Sequence, residues 1–510
     1  AQGRTRSPVG SGPAMALALP RAMLARSRGS AATAVAAAVR QRLATGHAVA
    51  RGFGVVPQVN PQTGEVFKEY TTYAKEQVEG IVASADGAFR EWRRVPPKER
   101  VATLAPMAEL LRGRADEAAE LMNKEMGKPV PQGKAEVLKC AYLVDWYAEH
   151  GAKFLEDTEH PPLPGFRRSY VTYQPLGVIL SVMPWNFPFW QVIRMSIPTL
   201  MAGNAVVLKH ARNCFGSSLM LEEIYRSVPG LPGDLFRALV IGGGEVDAVL
   251  ENEAVRGIAL TGSTEVGRQV AAKAGSLLKK AVVELGGSDG YVILADADLE
   301  AAAKAVVSGR ILNTGQVCIS PKRVLVEKSV KAAFEEKVLE QLATKAYGVD
   351  FGPMVNKGAR DEVAGMVRAT QDAGARLLAG GTDVPAPDGD SGKSFLAPTV
   401  LTDVRPGMVA FDEEIFGPVL AITEAADEAD AVRLANSSEF GLGAAVFTGD
   451  HERGQRIAVG DLEAGMCFVN DFVRSDPSLP FGGVKNSGLG RECSVFGMME
   501  FVNVKTVCVK

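Results

Sequence analysis

From Ala74 to about Phe154, apolar residues recur every three or four positions, as in RVATLAPMAELLRGRADEAAELMNKEMG, and this period predicts long amphipathic helices. Gly127, Lys128 and Pro129 stop one of them. Beyond that stretch the pattern changes. GVILSVMP (177–184), AVVLK (205–209), FRALVI (236–241), GIALTG (257–262) and KAVVEL (280–285) are short apolar runs separated by helical patterns such as SSLMLEEIYRSV (217–228). Strands of this kind alternating with helices predict a parallel sheet covered on both faces. Such sheets bind ligands beyond the carboxyl ends of their strands. A second series, from YVILADADLEAAAKAVVSGR through RVLVEKSV, PTVLTDV and PVLAITEA to GAAVFTGD, predicts another α/β domain. RRSYVTYQPLG (167–177) and the terminal FVNVKTVCVK alternate like edge strands, and HPPLPG (160–165) reads as a connector into a β-hairpin arm.

Length and composition fit this picture. A chain of 510 residues with 46% hydrophobic and 23% charged residues has room for several domains with their own cores. The net charge of −3 points to neither nucleic acid nor an anionic membrane surface as a partner. The longest apolar stretch, near VILSVMPWNFPFW, is too short to cross a bilayer and is broken by Pro184 and Pro188. The six cysteines, at 140, 214, 318, 467, 493 and 508, have no metal-type spacing, and no metal site is expected. They suit free thiols in a reducing compartment.

The charge is unevenly placed. Residues 1–53 carry eight arginines and no acid, and removing them takes the net charge from −3 to −11. With its many Ala and Ser residues, this segment reads as a transit leader for a mitochondrion or plastid, or else as a tail without a role in the fold.

Four motifs carry candidate chemistry. NTGQVCIS (313–320) sets Cys318 just past a helical segment; a thiolate there is a nucleophile, though a lone Cys is more often a small buried residue. VELGGSDG (283–290) ends a strand on Glu284, a carboxylate suited to act as general base for water and equally suited to be a plain strand-end acid. PWNFPFW (184–190) holds Asn186 between two prolines, where its amide donates to an oxyanion or merely shapes a turn. TGSTEVG (261–267) links a strand to a helix, leaving room for a phosphate at the helix start, although a capped helix carries the same signature.

Together and in order, PWNFP (184–188), LK (208–209), TGSTEVG (261–267), VELGG (283–287), NTGQVC (313–318), EEIFGP (413–418) and PFGGVKNSGLGRE (480–492) resemble the aldehyde dehydrogenase superfamily from about residue 54 to the C-terminus. VMPWNFPFWQ, LKH, ELGGSD and NTGQVC look most like its succinate-semialdehyde dehydrogenase branch. The resemblance implies an aldehyde dehydrogenase-like α/β fold, with a Rossmann-like NAD(P)-binding domain at 54–151 and 177–287. A catalytic α/β domain would follow at 288–494, and a β-hairpin oligomerisation arm would lie at 152–176 and 495–510, joining a homodimer or homotetramer. It implies Cys318 as nucleophile, Asn186 and the Cys318 backbone N–H as oxyanion hole, and Glu284 as activator of the deacylating water. For the cofactor it implies Lys209 on the adenosine ribose and Gly262 with Ser263 at the pyrophosphate. Glu414 would hold the nicotinamide ribose, Phe416 would pack nearby, and Trp185 would line the nicotinamide pocket. Glu492 would belong to a supporting proton network.

The aldehyde and the nucleotide turn on a few cations. Arg194, eight residues after Asn186, stands where semialdehyde-acid members meet the substrate's distal carboxylate, a task that suits the guanidinium fork. A second arginine of that branch is replaced by Leu312, and Arg474 is the expected substitute. Two further departures are Gly290 in place of Pro and Met195 in place of the Lys that supports the proton network. No second cysteine adjoins Cys318, so no local disulfide switch is expected. Arg212, three residues after Lys209, stands where NAD-selective members often carry Glu; a cation there accepts a 2′-phosphate, so NADP should be used as well as NAD.

The expected reaction is oxidation of succinate semialdehyde to succinate through a Cys318 thioester. The alternatives are a dehydrogenase for an uncharged aldehyde, against which Arg194 speaks, and an inactive nucleotide-binding protein on the same fold. A coenzyme-A-acylating enzyme is disfavoured by Glu284, a base that serves water.

Overall fold

The computed structural model describes residues 54–387 and 393–510; the expected leader at 1–53 lies outside the described residues. The predicted helical stretch resolves into helices Lys75–Trp92, Pro97–Leu104, Met107–Gly113, Ala115–Met126 and Val130–Phe154. Their apolar stripes, including Val82, Leu104, Leu111, Met122 and Val144, are buried in one large core shared with the first sheet. Burying each such side chain contributes about 1.5–3 kcal/mol, which sets the helices firmly against the strands.

That first sheet has six strands in the spatial order Gly488–Leu489, Lys280–Glu284, Val255–Thr261, Val178–Met183, Ala205–His210 and Phe236–Ala238. All neighbours run parallel except the first pair. Val178–Met183 is buried at every position, which explains why its sequence is a continuous apolar run rather than an alternating one. The chain moves from this strand to Ala205–His210 on one side and later to Val255–Thr261 on the other. The strand order therefore reverses here, and the crevice beyond the carboxyl ends is where such folds take ligands. Asn186, Lys209, Gly262 and Glu284 all lie at or just past these ends.

The second sheet has seven strands, with Asp289–Ile293 and Pro321–Glu327 near its middle, and is parallel apart from its Arg376–Gly381 edge strand. The boundary expected at residue 494 is crossed. Gly488 and Leu489 pair antiparallel with Glu284 and Val283, so the segment after Phe481 returns to the first sheet. The two expected edge strands are Arg168–Pro175 and Val502–Val509, paired antiparallel along their whole length, with Thr158–His160 on the far side. In this separate three-stranded sheet Val504 is 61% exposed.

Candidate active site

The segment holding Asn186 is fixed by a buried ion pair that sequence reasoning missed. Lys128 and Glu136 are both buried and paired with each other. Lys128 Nζ donates to the Asn186 carbonyl at 2.8 Å and lies 3.8 Å from the centre of the Phe187 ring. Glu136 Oε1 accepts from the backbone N–H groups of Phe189 and Trp190, both at 2.9 Å, satisfying the start of helix Trp190–Met201 with a negative charge. The available signal was a Gly-Lys-Pro helix stop followed by an acid inside the next helix. The Asn186 side chain is oriented in turn: Gln191 Nε2 donates to its Oδ1, and its Nδ2 donates to the Gln316 carbonyl, each at 3.0 Å. That bond uses one of the two amide hydrogens.

Gln316 belongs to the Cys318 loop. After helix Leu299–Ile311, three successive residues, Asn313, Thr314 and Gly315, adopt φ of 50°, 57° and 71°. A Cβ on Gly315 would lie 2.3 Å from the Gly417 carbonyl oxygen, so only glycine fits that turn. Asn313 Nδ2 donates to the Asn186 carbonyl at 2.9 Å, and Lys322 Nζ donates to the Cys318 carbonyl at 2.5 Å. The Cys318 thiol is thus presented, half-buried, by a rigid left-handed turn. Burial pushes its pKa well above the usual thiol value, and the adjacent Glu284 charge pushes it further, while Lys322 and Arg194 act in the opposite direction.

Glu284 is 2% exposed. Its Oε2 accepts from Arg194 Nη2 at 3.0 Å, and its buried Oε1 has no protein partner among the described residues. Arg194 also donates from Nε to Glu492 Oε2 at 2.5 Å and stacks 4.3 Å from the centre of the Phe481 ring. Burial alone would lower the Arg194 pKa, but the charges of Glu492 and Glu284 outweigh it and raise it. Burial raises Glu492, and the Glu284 charge adds to that against the pull of Arg194.

Arg194, expected to meet a substrate carboxylate, stands between two acids, its Nη2 on Glu284 and its Nε on Glu492, one residue before Met195. Arg474, the expected substitute for the second arginine, is 55% exposed and pairs with Asp471 at 2.5 Å.

The cofactor residues fall into two groups. At the crevice, Lys209 ends strand Ala205–His210; burial lowers its pKa, with Glu245 opposing and the nearby Arg212 adding to the fall. Arg212 is exposed, and neither it nor Lys209 has a carboxylate within ion-pairing distance among the described residues. Gly262 follows strand Val255–Thr261, and Ser263 caps helix Thr264–Ser276, whose first N–H groups face the crevice end of the sheet. In the second group, Trp185 and Phe416 meet edge to face with ring centres 5.8 Å apart, beside Glu414. A cleft of about 350 Å3 runs along these three residues. Glu414 accepts from the Gly287 N–H at 3.1 Å and from Lys322 at 3.0 Å. A Cβ on Gly286 would lie 2.3 Å from the Glu414 carboxylate, which explains the paired glycines after Glu284.

A thiol, a carboxylate and an amide donor therefore converge from three segments beside a crevice built for a nucleotide. The chain belongs to the aldehyde dehydrogenase family, whose model matches residues 50–507. It is 41% identical to the NAD(P)+ succinate semialdehyde dehydrogenase Sad of Escherichia coli over 455 residues, 88% of this chain and 96% of that one. It is 40% identical to the NADP(+) succinate-semialdehyde dehydrogenase 1 of Mycobacterium tuberculosis over 461 residues, covering 89% of this chain and 99% of the relative. Among solved structures it matches succinic semialdehyde dehydrogenase from Streptococcus pyogenes in complex with NADP+, with a TM-score of 0.84 and 34% identity, covering 89% of this chain and 99% of that one.

Proposed function

We propose that this protein oxidises succinate semialdehyde to succinate with NADP+, and also accepts NAD+. The convergence of Cys318, Glu284 and Asn186 at one crevice carries the reaction class. The relatives named for succinate semialdehyde support the substrate. Lys209 and Arg212, which form no ion pair among the described residues, suit a 2′-phosphate, and the capped start of helix Thr264–Ser276 suits the pyrophosphate. Trp185, Glu414 and Phe416 would hold the nicotinamide riboside in the adjoining cleft.

The Cys318 thiol gives up its proton to solvent, with Lys322 and Arg194 favouring the thiolate, and the thiolate adds to the aldehyde carbon. The free Asn186 N–H and the Cys318 backbone N–H receive the developing alkoxide, an interaction worth roughly 3–4 kcal/mol per donor in comparable sites. NADP+ held in the crevice would supply the hydride acceptor, and loss of hydride leaves the acyl group as a thioester on the Cys318 sulfur. Glu284 then deprotonates the water that releases the acid, with Arg194 and Glu492 balancing its charge through the cycle.

The alternative, an uncharged aldehyde, draws support from the commitment of Arg194 and Arg474 to protein carboxylates. Steady-state kinetics with succinate semialdehyde and butyraldehyde decide between them. A kcat/KM at least tenfold higher for the semialdehyde, about 1.4 kcal/mol, is expected; equal values would leave the uncharged substrate. We further propose that residues 1–53 direct the chain to a mitochondrion or plastid, on the strength of their arginine-rich, acid-free composition; a fluorescent fusion of that segment tests it. The Val502–Val509 sheet, with its exposed Val504, suits pairing with a second copy, and light scattering distinguishes dimer from tetramer.

A further inference from the structure

Two buried cations converge on one peptide of the nucleophile loop. Lys322 is the second residue of strand Pro321–Glu327, and Arg310 is the penultimate residue of helix Leu299–Ile311. Lys322 Nζ donates to the Val317 carbonyl at 3.1 Å as well as to the Cys318 carbonyl at 2.5 Å, and its counter-ion is Glu414 at 3.0 Å. Arg310 has no carboxylate at ion-pairing distance among the described residues. Its guanidinium donates to the Ser320 hydroxyl and to the Ile415 and Gly417 carbonyls, the Ile415 bond being 2.7 Å. Burial pulls its pKa down to about 9, with the charges of Glu414 and Asp289 opposing. A buried cation is costly unless dipoles or charges meet it.

Ser320 passes that charge on. Its Oγ accepts from Arg310 and donates to the Val317 carbonyl at 3.0 Å, and its N–H reaches the same oxygen at 3.3 Å. The Val317 carbonyl thus accepts from an ammonium, from a hydroxyl that a guanidinium polarises, and from a backbone N–H. A peptide is planar and trans, so its carbonyl and its N–H point to opposite sides. The N–H opposite the Val317 carbonyl is that of Cys318, and among the described residues it donates to no protein acceptor. It is the backbone donor proposed to receive the alkoxide. Hydrogen bonds in a chain polarise one another, so positive charge on the carbonyl strengthens the N–H as a donor. Holding the carbonyl also fixes the direction of the N–H, and a donor already in place needs no reorganisation as charge develops.

We propose that Lys322, and Arg310 acting through Ser320, are positioning residues for the oxyanion hole: they hold and polarise the Val317–Cys318 peptide so that its N–H is aimed at the alkoxide. The inference rests on the proposed thioester chemistry at Cys318. Neither cation touches the aldehyde, and no bond is made or broken at either.

The charged groups acting on the Cys318 thiol are Glu284, Lys322 and Arg194, so loss of Lys322 also lowers the thiolate fraction, and the test must separate the two effects. It takes the ratio of two reactions of Cys318. Acylation by p-nitrophenyl acetate passes through a tetrahedral oxyanion, releases p-nitrophenolate and needs no nucleotide. Alkylation by iodoacetamide is a displacement at carbon that forms no oxyanion. Both use the thiolate, so its fraction cancels in the ratio at each pH. The ratio should fall roughly tenfold in Lys322→Met and roughly threefold in Ser320→Ala, less than the loss on removing a whole donor, and recover in Lys322→Arg. The pH midpoint of alkylation should rise in Lys322→Met and stay at the parent value in Ser320→Ala, which keeps both cations. With Cys318 acylated in the parent, an unchanged ratio in Lys322→Met would overturn the inference and leave the thioester chemistry standing. An unchanged ratio in Ser320→Ala alone would overturn the part given to Arg310. No acylation of Cys318 in the parent would remove the proposed chemistry and this inference together. Should Lys322→Met fail to fold with Glu414 left unpaired, Lys322→Met combined with Glu414→Gln removes the pair, and the same ratio, lost or kept, decides.

Discussion

The Nη2 of Arg194 donates to Oε2 of Glu284 at 3.0 Å, so the candidate general base is held by an arginine one turn inside the helix that begins beside Asn186. Glu492 takes the other edge of the same guanidinium at 2.5 Å. A single cation thus lies between two buried acids and offsets charge on both. Arg194→Met should therefore slow thioester hydrolysis more than its formation. We expect kcat to fall about a hundredfold, within the range for impaired general-base catalysis, with a burst of reduced nucleotide ahead of the steady state. A drop in kcat without a burst would place the role of Arg194 in the acylation step instead.

The Lys128–Glu136 pair holds Asn186 from behind, by its carbonyl and through the start of the following helix. Removing one partner of a buried pair leaves an uncompensated charge, at a cost of about 3–5 kcal/mol. Lys128→Met should lower the thermal midpoint and reduce kcat for every aldehyde alike, because it displaces the oxyanion donor and not a substrate contact. Thermal denaturation and kinetics with two aldehydes check this; a change confined to one aldehyde would contradict it.

Arg212 is an electrostatic neighbour of Lys209, which ends strand Ala205–His210, and is proposed to meet the 2′-phosphate. Arg212→Glu should place a negative charge against the 2′-phosphate and an acceptor near a free 2′-hydroxyl. The ratio of kcat/KM for NADP+ over NAD+ should fall at least tenfold, about 1.4 kcal/mol. An unchanged ratio would mean that Arg212 points away from the nucleotide.

Asp289 gives a pH dependence. Burial raises its pKa to about 7 from 3.8, against the pull of Lys322. Its Oδ1 accepts from the Gly443 N–H at 3.0 Å, and its Oδ2 is buried without a partner. A folded-state pKa above the unfolded one means that the folded protein binds the extra proton. The associated stability is fully present below about pH 4 and is lost as pH rises through about 7. In urea denaturation, the parent should lose stability relative to Asp289→Asn across that window; a constant difference would show that Asp289 does not titrate there.

The strands and the chemistry-bearing turns were legible because they are local. A continuous apolar run such as VILSVM marks a strand buried on both faces, and the residues that follow it must then lie at a sheet end. That reasoning places Asn186, Gly262 and Glu284 at sheet ends, where the structure has them. Contacts across the chain were not legible in the same way. Nothing in the spacing of Arg194 tells that Gly488 pairs with Glu284 and so carries Glu492 to the guanidinium, 298 residues away in sequence. The motif position suggested a substrate contact, and the return of the C-terminal segment to the first sheet adds Glu492 to the surroundings of that arginine.

The central claim is that Cys318 carries the acyl group and Glu284 releases it. Glu284→Gln, incubated with succinate semialdehyde and NADP+, should form reduced nucleotide once per active site and then stop. Mass spectrometry of its peptides should find a succinyl thioester on the peptide containing Cys318 and on no other cysteine. Continued turnover without an adduct, or an adduct on Cys493 or another thiol, would contradict the account.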